Sequence, residues 1–367
     1  MRLLAVPNIR PDWKFPLAMQ NQDGRIPVSV ITGFLGSGKT TLINHLIHHP
    51  AMGEAAIIVN EFGEINIDHT LIEKSDEHTI LLGTGCLCCA VRGDLVETLH
   101  DLSLRRLKRE VPPFKRLVIE TTGLADPLPI LHALMSVPVV ARYRLDMVVT
   151  TVDAVNGFST LDHHEEAVKQ VAVADRIVIT KTDLVKAKLS APLSNRLEQL
   201  NPAVKPVESI NGDVDPAELF DGLRFDLATK IDDVELWLNE ESYAREPKGY
   251  GHVPAEIDIN RHDEHIKTFC LTFKNSLKWN VLAAWLDTLA TNEGEKLLRV
   301  KGLVNVEGIE RPVVVHAVQH LFHPPTRIAE WPDDDRRSRI VFITCDLSRT
   351  KVQKTLRDLE NALNDKI

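Results

Sequence analysis

From residue 28 onward the chain alternates short apolar, β-rich runs with stretches whose apolar positions recur at helical spacing. Residues 28–32, 56–60, 117–120, 147–152 and 177–180 read as strands, and residues 92–108 and 165–173 read as helices. Strands alternating with helices predict a mostly parallel sheet with helices on both faces. Pro202, Pro206 and the run Asn211-Gly212-Asp213 punctuate its end. Residues 225–263 are rich in polar and charged positions and read as a linker. Beyond it the pattern is a strand (266–273), a helix (279–289), strands (297–306, 312–318 and 339–345) and a final helix (351–363), which predicts a small α+β domain. Residues 1–26 show little periodicity and read as an irregular lead-in. The expected organisation is an α/β domain over residues 27–224, a linker over 225–263 and a smaller α+β carboxy-terminal domain over 264–367.

One junction between a predicted strand and a predicted helix carries chemistry. Gly33-Phe34-Leu35-Gly36-Ser37-Gly38-Lys39-Thr40 fits GxxxxGK[ST] at every position, with a strand before it and a helix from Thr41 after it. Glycines let the backbone curl until its N–H groups converge on phosphate oxygens. Lys39 supplies a point charge and the Thr40 hydroxyl a magnesium ligand. The expected ligand is a nucleoside triphosphate with Mg²⁺, bound by Gly33, Gly36, Ser37, Gly38, Lys39, Thr40 and Thr41.

At 367 residues the chain exceeds what one hydrophobic core usually supports, in agreement with two domains. Hydrophobic content of 44% and charged content of 26% are those of an ordinary soluble protein. No apolar run is long enough to span a bilayer, and Pro7, Arg10, Pro11, Asp12 and Lys14 interrupt any signal-peptide core, so a cytoplasmic location without membrane contact is expected. A net charge of −9 argues against a nucleic-acid partner. The basic strip Arg105, Arg106, Lys108 and Arg109 reads as the wet face of a helix.

Two further segments bear on the base and on hydrolysis. Leu117-Val118-Ile119-Glu120-Thr121-Thr122-Gly123 is an apolar strand ending in a carboxylate, with a glycine three residues on. Glu120 can hold magnesium through water, and the Gly123 N–H can sense a γ-phosphate. Thr180-Lys181-Thr182-Asp183 follows another strand in an [NT]KxD pattern. Asp183 can accept from the guanine ring N–H and amino group together, with Lys181 over the base. Adenine presents the opposite pattern and would leave a carboxylate unpaired. GTP, hydrolysed to GDP, is the expected nucleotide. Lys39, Glu120 and Glu61 are the catalytic candidates; Glu61, Glu120 and Asp68 could each orient the attacking water.

Residues 33–41, Asn60-Glu61-Phe62-Gly63-Glu64, Gly85-Cys86-Leu87-Cys88-Cys89, the run from Glu120 through Pro127, and Thr180-Lys181-Thr182-Asp183-Leu184 together resemble the CobW-like family of P-loop GTPases. Lys301-Gly302, Gln319, Phe322 and Trp331-Pro332 resemble that family's second domain, so the resemblance covers nearly the whole chain. It implies a P-loop GTPase domain followed by a CobW-type carboxy-terminal domain, and a metallochaperone that handles zinc or, in some branches, cobalt. Val59 stands where many members carry a glutamate. The linker holds only His252, His262 and His265 where many members carry a dense histidine tract.

Cys86, Cys88 and Cys89 place three thiolates within one turn, and thiolates select Zn²⁺, Cu⁺ or Co²⁺ over magnesium. Three ligands with an open fourth position suit a metal that is to be handed on. Glu64, from the segment that responds to nucleotide in the family, is the candidate fourth ligand, with a partner residue as the rival. A permanent structural zinc and reduced thiols without metal are the alternatives. Cys270 and Cys345 fall in apolar strand patterns and read as core. His316 and His320 read as sharing one face of a strand, and neither they nor His48, His49, His163 and His164 are assigned to metal. The resulting expectation is a GTP-hydrolysing zinc metallochaperone, a monomer or metal-dependent dimer, with a client metalloprotein docking partly through the carboxy-terminal domain. A metal-sensing or buffering GTP-binding module and a cobalt-handling factor for cobalamin synthesis are the alternatives.

Overall fold

The computed structural model describes residues 24–60, 80–84, 91–185, 187–202, 204–220, 265–322, 325–328, 330–332 and 334–364. They form two compact units, over residues 24–220 and 265–364. The expected linker over 225–263 and most of the expected lead-in lie outside the described residues.

The first unit is a seven-stranded sheet in the order β3-β2-β4-β1-β5-β6-β7, with every pairing parallel. Its strands are β1 (Ile26–Gly33), β2 (Ala55–Asn60), β3 (Ile80–Thr84), β4 (Arg116–Glu120), β5 (Tyr143–Asp153), β6 (Arg176–Thr180) and β7 (Val207–Ser209). The helices are α1 (Lys39–His48), α2 (Val91–Leu107), α3 (Leu128–Met135), α4 (Gly157–His163), α5 (Glu165–Ala172), α6 (Ala187–Leu200) and α7 (Pro216–Leu219). The continuous apolar runs are explained by this arrangement, because a strand covered on both faces has no polar side to alternate with. All of β4 is buried, as is β1 apart from one residue.

Packing of α1 fixes the position of the loop before it. Leu42, Ile43, Leu46 and Ile47 form its apolar stripe, which closes on Ile31, Ile57, Val118, Val149 and Val178. Each such side chain stabilises by about 1.5–3 kcal/mol on burial. At the opposite end of the sheet, Arg116 Nη1 donates to Asp146 Oδ2 at 2.9 Å, with Arg144 on the other carboxylate oxygen and the Phe220 ring 5.1 Å from the Arg116 guanidinium carbon.

Two edge strands were not anticipated from the pattern. β3 and β7 flank the sheet, and β7 is three residues long between the prolines and the Asn211-Gly212-Asp213 turn. Three residues give too few positions for a period to register, which accounts for β7; β3 has five residues, as β4 and β6 do, and its length does not account for the difference.

The second unit is a six-stranded antiparallel sheet built from β8 (Ile266–Phe273), β9 (Leu297–Val304), β10 (Val313–Val318), β11 (Leu321–Phe322), β12 (Thr326–Arg327) and β13 (Ser338–Cys345). Helices α8 (Trp279–Glu293) and α9 (Arg349–Asn364) join one core with the strands, centred on Trp285, Phe342, Leu286 and Val300. The architecture is the α/β domain followed by α+β domain expected from the pattern. One placement differs. β10 ends at Val318, Gln319 takes φ 52°, and the chain turns, so His320 does not share a strand face with His316. His320 Nδ1 instead lies 2.9 Å from the Ala290 carbonyl. A residue with positive φ ends the pleat, and side-chain alternation ends with it. Among the described residues no helix is long and apolar enough to cross a membrane.

Candidate functional site

The parallel register brings the carboxyl ends of the central strands to one edge. Ile31 pairs with Glu120, Gly33 with Thr151, Asp153 with Thr180, and Thr180 with Ser209. The chain leaves β1 between β4 on one side and β5 on the other, so the loop after β1 opens into the crevice where open α/β sheets bind ligands.

That loop is the GxxxxGK[ST] segment. Gly38, at φ 91°, precedes α1, and no side chain caps the helix, which leaves its first N–H groups directed at the crevice. Lys39 is buried, and its Nζ donates to the carbonyls of Gly33 (2.9 Å) and Phe34 (3.1 Å), so the loop is wrapped around its own ammonium. Ser37 Oγ lies 2.6 Å from Thr151 Oγ1, and Thr180 Oγ1 donates to the Ser37 carbonyl at 2.7 Å. The loop is therefore tied to both β5 and β6 before any phosphate arrives.

Thr40 Oγ1 donates to Glu120 Oε1 at 3.4 Å, and Glu120 is buried at the end of β4. A hydroxyl and a buried carboxylate meeting across 80 residues are hard oxygen donors of the kind magnesium takes, so the pair fits that ion. Past Glu120, the turn closes on the phosphate loop from above: a Cβ on Gly123 would stand 2.6 Å from the Leu35 amide nitrogen, which only glycine avoids.

Lys181 carries the third connection. Its backbone is left-handed at φ 58°, and its Nζ donates to Asp153 Oδ2 (2.6 Å) and the Gly36 carbonyl (2.7 Å). Burial alone would raise the Asp153 carboxyl. The Lys181 ammonium, the Val155 amide and the Asn156 carboxamide outweigh it and hold the carboxyl below the usual carboxylate range. Asp183 lies in the single helical turn Thr182–Leu184 and is exposed.

Gly33, Gly36, Ser37, Gly38, Lys39, Thr40, Glu120, Gly123, Thr180 and Lys181 are thus brought to one edge, with Thr41 at the start of α1 and Asp183 beyond β6. Glu61, Glu64, Cys86, Cys88 and Cys89 lie outside the described residues. Among the described residues no group of three or more His, Cys, Asp or Glu is arranged to hold a metal ion. Three residues at this edge were not singled out from sequence: Asp153, Gln170 and Ser209. Asp153 ends a strand whose apolar run stops one residue earlier, and its partner is 28 residues away. Ser209 lies beside Thr180, ahead of a turn whose Gly212 would clash through a Cβ with the Thr41 carbonyl at 2.6 Å. The Asn-Gly-Asp run signalled that turn but not where it lands.

Comparison with known proteins bears on both units. Residues 27–208 match the CobW/HypB/UreG nucleotide-binding domain, and residues 266–360 match the cobalamin synthesis protein cobW carboxy-terminal domain. The chain is 32% identical over 336 residues to the zinc chaperone YjiA of Escherichia coli, covering 91% of this chain and 98% of that protein. It is 28% identical to the zinc chaperone CobW of Pseudomonas aeruginosa, covering 91% of each. The crystal structure of Zn(II)-bound YjiA GTPase from E. coli superimposes with a TM-score of 0.64 at 27% identity, covering 91% of this chain and 99% of that one.

Proposed function

The chain belongs to the CobW/HypB/UreG family, and from that premise we propose that it is a GTP-hydrolysing zinc chaperone that loads client metalloproteins. The observation that carries the reading is the coincidence, at one sheet edge, of a complete phosphate loop, the Thr40–Glu120 oxygen pair and the Gly123 turn pressed on Leu35. Zinc is the cargo favoured by the names of the relatives, both zinc chaperones.

In this reading Gly33, Gly36, Ser37, Gly38 and Thr41 direct backbone or hydroxyl donors at the phosphates, and Lys39 compensates their charge. Thr40 and Glu120 would hold magnesium, which neutralises charge building on the β- and γ-oxygens during transfer. Gly123 reports the γ-phosphate. Thr180 anchors the base-recognition turn to the phosphate loop, Lys181 lies along the base, and Asp183 selects guanine. Glu61 and Glu120 are the candidates for orienting water. Cys86, Cys88 and Cys89, with Glu64, form the metal site.

Magnitudes constrain how such a cycle works. Nucleotide coupling is typically worth about 1 to 3 kcal/mol, whereas zinc held by thiolates is worth on the order of 10 kcal/mol or more. Hydrolysis by itself does not empty the site, so transfer proceeds by ligand exchange with a docked client, for which the second unit is the candidate surface.

The test is a zinc titration in GDP and again in a non-hydrolysable GTP analogue. The two zinc affinities are expected to differ by about 5 to 150-fold, with nucleotide affinity shifting by the same factor when zinc is added. Replacing Cys86, Cys88 and Cys89 by Ser removes the tight site and the coupling but leaves nucleotide binding in place. Equal zinc affinities in the two states reduce the cluster to a static site and end the transfer reading.

A further inference from the structure

Gln170 stands in the middle of α5 and belongs to none of the nucleotide motifs. It is 1% exposed. Its Nε2 donates to the carbonyls of Ala125 (3.0 Å) and Gly123 (3.3 Å), and its main-chain carbonyl accepts from Thr150 Oγ1 on β5 at 2.7 Å. One residue therefore joins a helix, a central strand and the turn that follows Glu120. Next to it, Lys169 Nζ reaches Asp126 Oδ2 at 3.4 Å, a second tether on the same turn. At the head of α5, the His164 ring stacks on Phe34 of the phosphate loop with centroids 4.3 Å apart.

The carboxamide is not there to fill space. Its Oε1 is buried and has no hydrogen-bond partner among the described residues, and Gln170 lines a cavity of about 140 Å³ with Phe34, Gly36, Thr151, Asp153 and Lys181. A buried acceptor left bare costs about 1–3 kcal/mol. A leucine fills the same volume without that cost, so the donors account for the carboxamide. Both are spent on carbonyls of one turn, and that turn is in contact with Leu35 through Gly123.

We propose that Gln170 is a positioning residue for GTP hydrolysis: by holding the Gly123 and Ala125 carbonyls it sets the Gly123 N–H at the height where a γ-phosphate meets it. It acts through Gly123 and touches no nucleotide atom. The inference rests on the GTPase reading above.

Gln170→Leu removes the donors at constant volume, and saturating GTP turnover is expected to fall about 10- to 100-fold, the scale of a small misplacement of a reacting group. GDP, which has no γ-phosphate, is expected to bind as it does to wild type. Gln170→Glu adds a readout that a packing role does not move. The introduced carboxyl, buried against two carbonyls, has a raised pKa and donates only while protonated. Turnover relative to wild type is therefore highest at low pH and falls as pH rises through that pKa. A constant ratio across about pH 5 to 10 overturns the proposal. Glutamine-selective ¹⁵N labelling of the wild-type protein gives a reading that needs no variant. The Gln170 carboxamide resonances are expected to shift when GDP is replaced by a non-hydrolysable GTP analogue with magnesium, and unchanged resonances overturn the proposal. Absence of GTP turnover in the wild type defeats the GTPase reading; wild-type turnover matched by both variants defeats this inference.

Discussion

Lys181 Nζ and Asp153 Oδ2, 2.6 Å apart, join the turn after β6 to the end of β5, and the same ammonium reaches the Gly36 carbonyl of the phosphate loop. The pair is expected to make the stability of this crevice depend on pH. Asp153 has a folded-state carboxyl held below the usual range, so its contribution is fully present above the unfolded value and is lost as pH falls through the lower, folded one. Asp153→Asn is expected to lower the melting temperature at neutral pH and to converge on wild type as pH drops below about 4. Melting curves recorded across that range check it; a constant offset at every pH means the carboxylate's charge is not what matters.

Lys39→Ala is expected to lower GTP turnover by at least about 100-fold, because charge compensation at the transferred phosphoryl is the term removed. Circular dichroism should be unchanged, since the loop remains tied through Ser37 to Thr151 and Thr180. Turnover within a few-fold of wild type would remove this loop from the reaction.

In the proposed function, base selection is assigned to Asp183. A charged hydrogen bond contributes about 1.5–3 kcal/mol, so Asp183→Asn is expected to weaken GTP binding by about 10- to 100-fold. It should also raise affinity for xanthosine triphosphate, whose ring presents an acceptor where guanine presents its amino group. Competition titrations with GTP, ATP and xanthosine triphosphate measure both effects. Equal binding of ATP and GTP by the wild type defeats the assignment.

In the second unit, Trp285 is fully buried, donates from Nε1 to Thr355 Oγ1 at 2.9 Å, and packs against Phe273 and Phe342 at centroid distances of 6.1 and 5.9 Å. Trp285→Ala is expected to cost about 3–5 kcal/mol, the range for truncating a buried aromatic to a cavity. Trp285→Phe keeps most of the ring and should cost about 1 kcal/mol, chiefly the lost bond to Thr355. Urea unfolding of the full chain reads both, and a cost below 1 kcal/mol for alanine would mean the core collapses around the gap.

The alternation of buried strands and helices, the strand-loop-helix setting of residues 33–41 and the order of the nucleotide motifs are legible in the chain's local spacing alone. Each is written in local spacing: apolar runs for covered strands, glycines where the loop curls, a carboxylate at a strand end. The Asn-Gly-Asp run likewise marked a turn. Tertiary structure decided what those pieces touch. That Asp153 pairs with Lys181, that Gln170 grips the turn after Glu120, that Ser209 lies beside Thr180 and that Thr40 meets Glu120 follow from the sheet order β4-β1-β5-β6-β7 and the helices packed on it. No local period encodes a neighbour 28, 47 or 80 residues away. Such contacts are selected by the packing of whole strands and helices, whose register places the side chains only after the sheet has formed. His320 marks the same boundary in the second unit: its spacing from His316 fits a strand, and a single left-handed residue, Gln319, sends it instead to the Ala290 carbonyl.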